Sequence, residues 1–183
     1  MTNFLRLRAA RGFTLIELLI VVIIIAILAA IAIPQFSSSS SDAQESALDA
    51  NLATVRSSIE LYRVQHANIY PGVNTSIGTS ACTGGAVGTG AAASSAAVSD
   101  QLTAYSNSTG GTCTVRVGDY QFGPYVRAIP AEPISNSNTI LASAAVLPVT
   151  AAGPGGWAYS TLTGQFGANN TAKDGKGKLL TAH

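Results

Sequence analysis

The hydrophobic residues of this chain are concentrated in one segment near its start. From Phe13 to Ile33 every residue is apolar except Thr14 and Glu17, and the segment is 21 residues long. A helix of that length extends about 31 Å, which is enough to cross the hydrocarbon core of a bilayer. The pattern therefore predicts a transmembrane helix close to the amino terminus.

A proline ends this apolar segment, and a second helical pattern follows it. Within a helix Pro34 would cause a kink, whereas a helix that stops at the membrane surface is the alternative. Farther along, apolar residues alternate at spacings of four and three, which is typical of one buried helix face: Leu48, Leu52, Val55, Ile59 and Tyr62. This continuation favours a kink, and we predict one long helix from Phe13 to about His66, half transmembrane and half amphipathic.

The remainder of the chain predicts a small sheet that is reached through a polar connection. Residues 74–112 are rich in Gly, Ala, Ser and Thr, and helical spacing within them predicts one short helix: Val98, Leu102 and Tyr105. Strand patterns follow at 114–117, at 157–160 and around Phe166, with a turn near Thr163 and Gly164. We therefore predict an α+β fold in which the long helix packs on a small antiparallel sheet.

Composition and charge support a membrane-associated chain. Hydrophobic residues make up 47% of the sequence and charged residues 10%, whereas globular domains carry about 25% charged residues. Arg6, Arg8 and Arg11 precede the apolar segment without any acidic residue. By the positive-inside rule they hold that end in the cytoplasm, so the rest of the chain is exported. Nothing in this distribution indicates a nucleic-acid partner.

A cleaved secretory signal peptide is the alternative interpretation of this amino terminus. Small residues at positions 29, 30 and 32 could serve a signal peptidase. The length of the apolar segment and the helical pattern beyond Ile33 argue against that interpretation. Glu17 remains to be explained, because an unpaired carboxylate in hydrocarbon is costly. Either the side chain reaches the cytoplasmic interface or another group neutralises its charge.

The stretch Gly12-Phe13-Thr14-Leu15-Ile16-Glu17 resembles the processing site of type IV prepilins and type II secretion pseudopilins, after a short basic leader and at the start of an apolar helix. The resemblance implies that a prepilin peptidase cuts between Gly12 and Phe13 and methylates the new amino terminus of Phe13. It also implies that Glu17 pairs with the amino terminus of a neighbouring subunit when the apolar helices pack in a filament.

Two further stretches resemble the major pseudopilin of type II secretion systems. Residues 57–72 resemble the end of its long helix, and GPYVRAIPAEP, at 123–133, resembles the segment that leads into its sheet. We expect Tyr62 to be a core contact and His66 to be a surface residue near the helix end. The family commonly ends in a calcium loop, but here Asp174 stands alone among lysines. We therefore expect no metal site, and a type IV pilin or minor pilin remains an alternative.

Cys82 and Cys113 are the only two cysteines of the chain. Both are predicted to lie outside the cytoplasm, so a disulfide between them is the favoured interpretation, with two unpaired thiols as the alternative. Such a bond would close the Gly/Ala/Ser-rich connection, which has little apolar content of its own.

The chain offers no arrangement of catalytic residues. Its two histidines have no identifiable partners and its acidic residues are scattered, so we predict that it is not an enzyme and needs no cofactor. We divide it into a leader, 1–12, a transmembrane or filament-core helix, 13–34, an amphipathic helix, 35–66, an exported pilin-like domain, 67–172, and a mobile tail, 173–183.

We therefore expect a single-pass inner-membrane protein with a periplasmic carboxy-terminal domain that assembles into a filament. A type II secretion pseudopilin acting in protein export is the first interpretation. The alternatives are a type IV pilin or minor pilin for adhesion, motility or DNA uptake, and a membrane-anchored ligand-binding protein. The implied partners are identical or related pilin subunits, a prepilin peptidase and an inner-membrane assembly platform.

Overall fold

The computed structural model describes residues 13–146, 156–171 and 179. The predicted leader, including Gly12, and most of the predicted tail, including Asp174, lie outside these residues. The described elements are α1 (Leu15–Gln65), α2 (Ser95–Thr103), β1 (Tyr105–Ser106), β2 (Thr112–Cys113), β3 (Ile140–Ser143), β4 (Trp157–Ser160) and β5 (Phe166–Ala168). Contacts divide the chain into two units, residues 1–40 and 41–183, and each is described by itself.

In the first unit, α1 carries the apolar segment. Leu15–Ile33 is long and apolar enough to cross a membrane, and none of it is buried in the structure. The helix continues through position 34 without interruption, so Pro34 does not end it. The predicted kink at Pro34 stays a prediction.

In the second unit, the predicted apolar stripe of α1 forms the core. Leu48, Leu52, Val55, Ile59 and Tyr62 are each at most 1% exposed, which confirms the amphipathic pattern. Much of the covering surface comes from aromatic residues of β4 and β5, namely Trp157, Tyr159 and Phe166. Burial of each large apolar side chain is worth about 1.5–3 kcal/mol, so this contact stabilises the domain.

Two small sheets, β1-β2 and β3-β4-β5, confirm the α+β class, and the second contains one parallel pair. Strands β4 and β5 form the predicted hairpin, with Tyr159 opposite Phe166, and β1 pairs with β2 in the same antiparallel sense. Strand β3, however, runs parallel to β4. A parallel pair needs a connection of about a dozen residues or more, and residues 144–156 provide it.

The connection between α1 and this sheet contains the predicted short helix, α2, with Val98 and Leu102 fully buried. The strand predicted at 114–117 is wrong, because β2 ends at Cys113. Gly118 then turns the chain with a φ of +56°, and the amide of Tyr120 donates to the carbonyl of Val117 at 3.0 Å. Residues 114–117 thus lie outside the ladder, and the amide of Thr114 donates to the carbonyl of Ala86 at 3.0 Å.

Candidate functional site

The candidate site lies at the start of α1, where Thr14 and Glu17 bind each other. The amide and the hydroxyl of Thr14 donate to Oε2 of Glu17 at 2.9 and 2.7 Å, and the amide of Glu17 donates to the Thr14 hydroxyl at 3.3 Å. This reciprocal arrangement is a capping box, which satisfies amides that the first helical turn leaves without partners. Glu17 therefore has a role within its own chain that the sequence interpretation missed, although Thr-x-x-Glu is the signature of that cap.

The cap leaves the charge of Glu17 without a cationic partner in the described part of the chain. The hydrogen bonds from Thr14 end on Oε2, and among residues 13–146, 156–171 and 179 no donor binds Oε1. The positive end of the helix dipole lies at this terminus and favours a carboxylate there. The site thus presents an exposed carboxylate, fixed by hydrogen bonds from Thr14, at the beginning of an apolar helix.

Phe13 begins the described part of the chain and is 80% exposed. Its predicted partner at the cleavage site, Gly12, lies outside the described residues. Cleavage between Gly12 and Phe13, methylation of Phe13 and an assembly role for Glu17 therefore stay predictions. The structure brings Glu17 together with Thr14.

The apolar surface of α1 extends from this site along the first unit. Every Leu, Ile and Val from Leu15 to Ile33 is at least 48% exposed. A continuous apolar surface of this size marks a membrane or protein contact. Lipid or neighbouring helices have to cover it.

In the second unit, Cys82 and Cys113 form the predicted disulfide, with their Cα atoms 5.7 Å apart. The closed segment contains α2, whose side chains hold the surrounding loops. Gln101 is fully buried and binds backbone groups from two stretches of the chain. It accepts from the amide of Gly72 at 2.6 Å and donates to the carbonyls of Asn74, Thr75 and Gly110 at 3.1, 3.3 and 2.8 Å. The amino-acid composition of this segment did not indicate that Gln101 would be buried and bound to the backbone.

His66 is buried, which corrects the expectation of a surface residue. Its side chain is 2% exposed and stacks on Tyr62 with ring centroids 3.8 Å apart. Burial lowers the pKa of His66, and hydrogen bonds to the backbone of Tyr62 and Asn107 oppose that effect. The spacing signal was present, because His66 continues the four-and-three stripe one step beyond Tyr62.

The described residues give little support for metal binding or catalysis. No group of three or more His, Cys, Asp or Glu side chains there could hold a metal ion. The buried Ser106 and His66 form a hydrogen bond of 3.1 Å, but Ser106 has no exposed surface. A substrate could not reach that pair without opening the fold.

Residues 7–33 match the family model described as the prokaryotic N-terminal methylation motif. The chain is also 42% identical over 60 residues to the type IV narrow pilus major component PilA5 of Thermus thermophilus, a match that covers 33% of this chain and 52% of that protein. The chain thus spans about half the length of the relative that it matches. No solved structure matches the chain. The amino-terminal motif and the helix that follows it are thus similar to those of a type IV pilin, over about a third of the chain.

Proposed function

We propose that the chain is a structural subunit of a type IV pilus. The observation that carries this proposal is the exposed apolar helix that begins at Leu15 beside the capping box of Thr14 and Glu17, within a segment that matches the methylation motif. The similarity is to the major component of a type IV pilus, which favours a pilus over the secretion pseudopilus that the sequence suggested first. Identical or related pilin subunits are the partners in the filament.

The proposed maturation begins with removal of the leader by a prepilin peptidase between Gly12 and Phe13. Cleavage creates an ammonium group on Phe13, four residues before Glu17. Before assembly, the mature subunit resides in the inner membrane with its carboxy-terminal domain in the periplasm. An assembly platform then extracts it from the membrane. Neighbouring helices then replace lipid around Leu15–Ile33.

In the filament, the ammonium of one subunit pairs with Glu17 of another. The capping bonds hold the carboxylate through Oε2, which leaves Oε1 for the incoming ammonium. Two opposite charges in a poorly solvated core attract strongly. Removing one partner from a buried pair costs about 3–5 kcal/mol, because the other charge is left uncompensated. Assembly should therefore depend on Glu17 far more than membrane insertion does.

The substitution Glu17→Gln tests the proposal in cells that produce the full chain. We expect normal amounts of membrane-inserted subunit and a loss of sheared surface fibres, because the amide cannot neutralise an ammonium. Glu60→Gln is the matched control, since Glu60 is an exposed acid of the same helix that pairs with Arg63 at 2.8 Å. Fibres at normal level in the Glu17→Gln strain would contradict the pairing.

A further inference from the structure

His66 connects the end of α1 to the segment that follows α2. Its Nδ1 lies 2.9 Å from the carbonyl oxygen of Tyr62, and its Nε2 lies 3.1 Å from the hydroxyl oxygen of Ser106. A carbonyl can only accept, so Nδ1 carries the hydrogen and the neutral ring accepts at Nε2 from the Ser106 hydroxyl. The geometry therefore specifies one tautomer of a neutral imidazole.

The groups packed around this ring carry no charge near neutral pH. Tyr62 stacks on one face, Phe122 approaches with a centroid distance of 5.1 Å and Tyr125 with one of 6.3 Å. The two tyrosines are the titratable groups that face the imidazole, and burial raises the pKa of Tyr125 to about 12 and that of Tyr62 further. Neither supplies a negative charge that could compensate an imidazolium.

Ser106, which donates to the ring, lies at a junction of the domain. Ser106 belongs to β1, pairs with Thr112 of β2, and exchanges two backbone hydrogen bonds with Phe122, at 2.9 and 3.1 Å. One step beyond Thr112 is the disulfide-bonded Cys113. The contact between His66 and Ser106 therefore holds the hairpin of β1 and β2, together with residues 122–125, against the end of α1.

We propose that His66 is an acid-sensitive latch that fastens residues 105–125 to the end of α1 and releases them as the pH falls. A proton added at Nε2 converts that atom from an acceptor into a donor, so the Ser106 hydroxyl has to rotate and accept from the ring instead of donating to it. It also places a cation among aromatic side chains without a carboxylate partner, which is unfavourable for a buried group. Local opening hydrates the imidazolium and relieves this cost of burial.

The direction of the pH effect follows from linkage. A group with a lowered pKa in the closed state binds its proton more readily when the segment is open. Stability is therefore complete above the ordinary histidine pKa of about 6.5 and is lost as the pH falls from there through the lowered value. Each unit by which the pKa is lowered raises the opening constant about tenfold in acid.

Two measurements on the full chain in detergent micelles test the latch. The first is an NMR titration of the imidazole protons, in which His66→Gln identifies the resonance of His66 beside that of His183, the second histidine of the chain. The second is hydrogen exchange at pH 7.5 and 5.0, expressed as protection factors so that the intrinsic pH dependence is removed. The amides of Ser106 and Phe122 report the latch, and the amide of Ser160, which bonds to Gln165 at 2.9 Å, is the internal reference.

We expect His66 to titrate below the ordinary histidine range and the protection of Ser106 and Phe122 to fall at pH 5.0 relative to Ser160. His183→Gln should behave like the native chain, whereas His66→Gln should lose the pH dependence. The NMR titration keeps the test decisive if His66→Gln does not fold. An ordinary or raised pKa for His66, unchanged protection at pH 5.0, or an equal fall in the native chain and His66→Gln would each overturn the proposal.

Discussion

Replacing Gln101 with leucine should destabilise the second unit more than any comparable polar substitution on its surface. The leucine side chain has a similar volume but can neither accept from the amide of Gly72 nor donate to the carbonyl of Gly110. Both backbone groups are in buried residues, and each buried group left without a partner costs about 1–3 kcal/mol. The expected loss is therefore about 2–6 kcal/mol, a large share of the 5–15 kcal/mol that is typical of a domain.

Chemical denaturation of the full chain in micelles measures this loss, with the disulfide kept intact so that the unfolded states are comparable. Gln44→Leu is the control, because Gln44 is an exposed glutamine of α1, and an exposed substitution of this kind changes stability by about 0.5 kcal/mol or less. Equal free energies of unfolding for the Gln101→Leu and Gln44→Leu chains would refute the view that the buried amide organises the surrounding loops.

Three further predictions concern processing, the crosslink and the core. Gly12→Val should block leader removal, seen as an unshifted band on a gel, because the β-branched side chain keeps the peptidase from the backbone; a normal shift would contradict the assigned cleavage site. Replacing both cysteines with serine should cost about 3–4 kcal/mol in unfolding free energy, since Cys82 and Cys113 are separated by 31 positions; an unchanged denaturation midpoint would contradict it. Leu52→Ala should cost about 2–5 kcal/mol in the same assay, whereas Ala53→Ser on the exposed face should change little.

Local sequence patterns predicted the helices and strands that depend on the spacing of neighbouring residues. The four-and-three spacing located the buried face of α1, and alternation around a glycine turn located the hairpin of β4 and β5. Two failures had a readable signal, since Thr14 and Glu17 have the spacing of a capping box and His66 continues the buried stripe. Glu17 was interpreted as the partner of a neighbouring subunit's amino terminus, and His66 was assigned to the surface, without testing the position of either side chain on the helix.

Other features had no local signal. The parallel pairing of β3 with β4 depends on a connection whose length permits several topologies. The burial of Gln101 depends on backbone groups brought together from residues 72 and 110. An amide in a glycine-rich segment has the same sequence context whether it faces solvent or a set of carbonyls. Tertiary packing alone decides between these states.

The chemical nature of the mature amino terminus tests the central claim most directly. Mass spectrometry of the amino-terminal peptide from the native chain, isolated from membranes and from sheared fibres, distinguishes the possible forms. The proposal predicts a chain that begins at Phe13, carries one methyl group on its amino nitrogen and is present in the fibres. A native chain that still begins at Met1, or one cut near the end of the apolar segment around Ala30, would contradict it.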